Sequence, residues 1–142
     1  MSVIVERVPQ RTIHPFHAFL LGGAVALFLG ALLSDIAYAR SYQIQWSNFA
    51  SWLIAGALLL AGFALLWAVI DLFRTDRREN GGLVYFVVLL VTWVLGFINA
   101  LVHAKDAWAI MPASIVLSVI VVLLACAASW VGLSTVRTGG AA

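Results

Sequence analysis

Three histidines, six acidic residues and one cysteine supply most of the reactive side chains in this chain of 142 residues. His14 and His17 stand in the stretch IHPFH, and His103 stands in NALVHAKDAW beside Asn99, Lys105, Asp106 and Trp108. Asp35 and Asp71 sit near the ends of apolar runs. Imidazoles in such surroundings suit two kinds of chemistry. One is axial ligation of a b-type haem held between helices. The other is proton relay through a membrane, with carboxylates as partners. The lone Cys126 excludes an internal disulfide and a cysteine-based zinc or iron–sulfur centre, and inside an apolar run it is inert. No other metal centre is expected.

Spacing limits what these residues can share. His14 and His17 are three positions apart beside one helix, so they cannot grip opposite faces of one porphyrin. His103 lies nearly a membrane thickness away, so each haem would need a second ligand from elsewhere, with Met111 the nearest candidate for His103. No ionisable residue falls near the midplane, where transporter sites form, so transport by a monomer is not expected. A plainer reading makes both polar rims anchors. Asp35 would then pair with Lys105 or His103, Asp71 with Arg74 or His17, and Asn99 would bond across helices for about 1 kcal/mol.

The elements that position these residues follow from composition. The chain is 64% hydrophobic and 10% charged, with a mean hydropathy of +1.07. That is too apolar for a fold in water. Its net charge of +2 is too small for a nucleic-acid footprint. Four stretches lack Asp, Glu, Lys and Arg: 12–34, 41–70, 80–104 and 107–136. Each exceeds the roughly 20 residues that cross about 30 Å of hydrocarbon, where the backbone must satisfy itself as helix. The expectation is an all-α integral membrane protein: one domain over 1–142, with helices near 16–38, 49–73, 83–104 and 111–134. AYAR at 37–40 resembles a leader cleavage site, but Asp35, Tyr38 and the long apolar core oppose it, so the first helix is retained.

Connections of roughly 6 to 10 residues favour an up-down-up-down bundle. Arg7, Arg11, Arg74, Arg77, Arg78 and Arg137 on one side, against Arg40 and Lys105 on the other, place both termini in the cytoplasm. Small or weakly polar stripes mark the expected interfaces. These are Gly22, Ala26 and Gly30; then Ala57, Ala61, Ala64 and Ala68; then Thr92, Gly96, Asn99 and His103; and finally Ser114, Ser118, Ala125, Ser129 and Gly132. Tyr38, Tyr42, Trp46, Trp52 and Trp108 suit an interfacial belt, while Trp67, Trp93 and Trp130 are expected to pack against neighbours. Pro15 and Pro112 suit helix starts, and ENGG at 79–82 reads as a flexible connection.

Three segments, IHPFHAFLLGGAVALFLGALLSDIAYAR, QWSNFASWLIAGALLLAGFALLWAVIDLF and FINALVHAKDAWAIMPASIVLS, together resemble the bacterial membrane family known as domain of unknown function 2231. The likeness spans nearly the whole chain. Its markers are His14-Pro15 before the first helix, Asp35 near its end, Asp71 ending the second, and Asn99, His103, Asp106 and Trp108. The resemblance implies four membrane helices. It also implies association with redox proteins, since relatives are fused to or encoded beside cytochrome c, Rieske-type and quinoprotein sugar dehydrogenase modules. A quinone thereby joins haem b as an implied cofactor. Relatives often open the third helix with a histidine where, counting back from Asn99, this chain has Tyr85. An inner haem that used that histidine would lack a ligand here.

The expected function is that of a small, multi-pass, redox-associated subunit of the bacterial inner membrane. It would bind haem b or a quinone and pass electrons from a periplasmic dehydrogenase or cytochrome, without independent catalysis. His14 and His17 would contact the cofactor on the inner side, and His103 with Asp35 and Asp106 would form an outer site. The alternative is a non-catalytic anchor or assembly subunit whose polar caps (Asp35, Asp71, Asn99, Lys105, Asp106, Trp108) only fix register and dock a partner. A small transporter ranks third. Expected partners are the lipid bilayer and, beside the redox protein, further copies of the chain, with no nucleic acid.

Overall fold

The computed structural model describes residues 14–74 and 80–138. Its helices are α1 (Pro15–Ser41), α2 (Ile44–Arg74), α3 (Asn80–His103) and α4 (Ala113–Thr138), with a short 3-10 turn at Ala107–Ala109 between the last two. Among the described residues there is no strand. All four helices are long and apolar enough to cross a membrane. At 1.5 Å per residue even the 24 residues of α3 run about 36 Å, more than the hydrocarbon thickness.

Local sequence sets the ends. Pro15 opens α1, where its missing N–H costs nothing, and the His14 ring Nδ1 accepts from Phe16 N–H at 3.3 Å. Pro112 precedes α4 rather than starting it. The ENGG connection is shorter than expected, because α3 already begins at Asn80; Glu79 and Arg77 and Arg78 lie outside the described residues. The first connection is only Tyr42 and Gln43, since α2 starts at Ile44, five residues before the expected 49. Tyr42 makes that turn in the left-handed region (φ 54°), and its N–H donates to the Tyr38 carbonyl at 2.7 Å. A β-branched residue is strained there, so Tyr42→Ile is expected to cost about 1 kcal/mol more. A detergent melting curve checks it, and an unchanged midpoint would mean the turn relaxes.

Helix neighbours run α1, α2, α3, α4 around a ring. Each helix buries one seam at alternating steps of three and four. On α2 it is Ser47, Ala50, Ile54, Ala57, Ala61, Ala64 and Ala68. On α3 it is Tyr85, Leu89, Thr92, Gly96 and Asn99, and on α4 it is Ser114, Ser118, Val121, Ala125 and Ala128. A mean step of 3.5 is the period of left-handed bundle packing. Inside are mostly small residues; outside are Phe19, Leu33, Trp52, Leu59, Phe73, Leu123 and Trp130. This suits lipid, where burying leucine between helices gains little and close backbone approach gains contact.

The stripes on α2 and α3 are as expected, but on α1 only Gly30 of the expected stripe packs inward. Gly22 and Ala26 are exposed, and the inward glycines are Gly23 and Gly30. A β-carbon on Gly23 would meet Leu60 Cδ1 at 2.7 Å, one on Gly56 Leu27 Cδ1 at 3.2 Å, and one on Gly30 Leu53 Cδ1 at 3.2 Å. Leucines of each helix thus sit over glycines of the other, a reciprocity that a single-helix stripe does not reveal. Trp67 and Trp93 meet neighbouring helices as expected, but Trp130 is 76% exposed and faces outward.

Candidate functional site

The packing gathers Asp35 of α1, Asn99 and His103 of α3, and Ser118 of α4 at one end of the bundle. Asp35 is 0% exposed, Asn99 1% and Ser118 2%. Asp35 Oδ1 lies 2.8 Å from His103 Nε2, and Oδ2 accepts from the Ser118 hydroxyl at 2.6 Å. Asn99 Nδ2 donates to Ser118 Oγ at 2.9 Å, and His103 Nδ1 lies 2.9 Å from the Asn99 carbonyl. That carbonyl only accepts, so Nδ1 carries a hydrogen. One further proton lies between Nε2 and Oδ1, which makes the pair neutral as a whole. Asn99 Oδ1 has no donor.

The α3–α4 connection closes over this cluster. The Tyr38 hydroxyl donates to the Ala107 carbonyl at 3.0 Å, Ile110 is fully buried, and Ser114 Oγ donates to Met111 Sδ at 3.3 Å. Lys105, Asp106 and Trp108 stand outside, exposed, with Trp108 stacked on Tyr42 at 6.3 Å between ring centroids. The expected rim therefore divides. Asp35, Asn99 and His103 form one network, and Asp35 chooses His103 rather than Lys105. Asp106 is not part of it.

His14 and His17 lie at the other end, far from His103. His17 Nε2 is 2.7 Å from the Tyr85 hydroxyl, while His17 Nδ1 is buried without a partner. The Trp67 ring of α2 packs on both histidines, at 5.3 Å from His14 and 5.8 Å from His17. Asp71 is exposed nearby, within electrostatic reach of His17 and Tyr85. Tyr85 thus partners His17 at the position where the chain departs from its resemblance. A β-carbon on Gly132 would meet the Tyr85 ring at 2.7 Å. Tyr85 opposite Gly132 and Asn99 opposite Ser118 hold one antiparallel register of α3 on α4, fourteen residues apart on each.

Sequence reasoning took Ser118 only as a small interface residue and placed Tyr38 only in the aromatic belt. The signal for Ser118 was its position in that register; Tyr38 lies three residues from Asp35 on the same buried seam. At His103 the haem reading fits this arrangement poorly. Both nitrogens of His103 are engaged, and the Met111 sulfur already accepts from Ser114. A cavity inside the bundle, between Phe28, Thr92 and Ser129, measures about 10 Å³, space for one water and not for a porphyrin. A depression of about 400 Å³ between α2 and α3 has no histidine in its wall. Among the described residues no group of three or more His, Cys, Asp or Glu converges as a metal site.

A family model described as predicted membrane protein (DUF2231) matches residues 13–142. The chain belongs to that family. The match takes in the four spans and both polar ends, so the buried cluster and the His17–Tyr85 pair sit within the family's domain. No curated protein and no solved structure matches the chain.

Proposed function

We propose that this DUF2231 protein is a non-catalytic anchor or assembly subunit of a membrane complex, a redox complex on the strength of its resemblance. The proposed setting is the bacterial inner membrane, with the His17 end in the cytoplasm. The observation that carries this reading is the use of the buried polar groups. Asp35, His103, Asn99 and Ser118 spend all their hydrogen-bonding groups but Asn99 Oδ1 on one another and so tie three helices together. An interior committed in this way supplies a rigid body whose outer faces and rims are left to meet a partner.

A second reading rests on the unsatisfied His17 Nδ1 beside Trp67 and Tyr85. There a quinone headgroup would find a nitrogen and aromatic faces. His14 is exposed beside it and is the other contact.

Purification with haem supplied, followed by dithionite-reduced spectra, quinone-analogue binding and recovery of co-purifying proteins, separates these readings. The anchor reading expects no haem band, a stable partner, and partner turnover that survives His17→Ala and His103→Ala. A reduced b-type band, or loss of turnover in either variant with assembly intact, would overturn it. Analogue binding abolished by His17→Ala would support the quinone reading instead.

A further inference from the structure

The geometry points to the Asp35–His103 pair as a one-proton latch that keeps the 104–112 connection closed, so that acidification of the solution at that rim opens it. A donor count sets the latch. His103 Nδ1–H is committed to the Asn99 carbonyl, and the Ser118 hydroxyl is committed to Asp35 Oδ2. The 2.8 Å gap between Nε2 and Oδ1 takes one hydrogen. With that hydrogen the pair is neutral, whichever atom holds it.

A second proton meets a hydrogen already in place at either carboxyl oxygen, Nε2–H at Oδ1 or the Ser118 hydroxyl at Oδ2, and it leaves a net positive charge between side chains 0% and 1% exposed. Buried and unpaired, such a charge is costly enough to force the groups apart. No neighbour stands ready to neutralise it. On α1, Tyr38 is committed to the Ala107 carbonyl and Arg40 is exposed. At this end α2 presents Ser47 and α4 presents Ser114 and Ser118, none of which titrates in this range. The connection's own charges, Lys105 and Asp106, are exposed to solution.

Separation of the pair reaches the connection by two routes. His103 is the last residue of α3, so the connection hangs directly from it. Tyr38, less than one turn beyond Asp35, holds the middle of the connection through Ala107. Asn99 Oδ1, buried and without a donor, gives the added hydrogen a partner once the cluster rearranges.

Hydrogen–deuterium exchange of the full chain in detergent, followed over 104–112 and corrected for intrinsic rates, tests the latch. Between about pH 7 and about pH 3, a range that extends below the ordinary aspartate value, exchange there should rise about tenfold. The double variant Asp35→Asn/His103→Gln keeps two hydrogen-bonding groups but cannot titrate, and it should lose the response. An unchanged connection in the natural protein, or an equal response in the double variant, overturns the proposal. If the double variant does not fold, infrared spectra of the natural protein decide. A protonated-carboxyl band or an imidazolium band must grow in step with exchange, and growth of either over an unmoved connection sinks the latch.

Discussion

Asp35→Ala is expected to destabilise the bundle by about 3 kcal/mol, as measured by unfolding in mixed micelles followed by far-UV circular dichroism. The substitution removes the acceptor for two buried groups at once, His103 Nε2 and the Ser118 hydroxyl. Each interhelical bond in lipid contributes only about 1 kcal/mol, because the separated helices find other partners. The remainder comes from leaving an imidazole and a hydroxyl unpaired in a dry interior. Asp106→Ala, on the exposed rim nearby, should stay within about 0.5 kcal/mol. A double-mutant cycle with His103→Ala should show coupling of at least about 1 kcal/mol. A loss below about 1 kcal/mol for Asp35→Ala would mean that the cluster does not hold α1 to α3 and α4.

The convergence of Asp35, Asn99 and His103 was legible because depth in a membrane can be counted. A charge-free run fixes where each helix crosses, and 1.5 Å per residue then fixes the level of every polar group along it. Direction is harder. Asp35 had Lys105 and His103 as candidate partners at one level, and only packing shows that Lys105 points away. On α1, Gly22 and Ala26 turn out exposed for a related reason. Gly22 and Gly23 are adjacent, so a small-residue stripe runs through either, and the choice rests on where Leu60 and Leu53 arrive from α2.

The short first connection was missed because no charge marks the boundary between Ser41 and Ile70. Only the left-handed turn at Tyr42 shows where the chain reverses. Haem was raised by the residue types. It meets difficulty in a fact no sequence states, that the ring nitrogens of His103 are both taken. Transport fares similarly. The polar groups at the two ends are separated by a packed layer that includes Phe28, Ile54, Ala57 and Val121.

That layer carries the second large effect. Phe28 is 2% exposed, and its ring occupies the space a side chain at Gly96 would need. A β-carbon on Gly96 would stand 3.1 Å from Phe28 Cζ and 3.0 Å from Leu58 Cδ2. Gly96→Val should therefore cost about 2 kcal/mol, since the Phe28 ring is packed among Ile54, Ala57 and Val121 and must shift to admit it. Phe28→Ala should cost a similar amount, about 2 kcal/mol, and less than the usual 3–5 in water-soluble cores. Lipid is itself apolar, so only the contacts and the unfilled space are lost, not a transfer from water. The two changes are complementary in volume. Combined as Phe28→Ala/Gly96→Val, they should recover at least about 1 kcal/mol of the summed loss in the same unfolding assay. Strict additivity would show that Gly96 is small for some reason other than making room for Phe28.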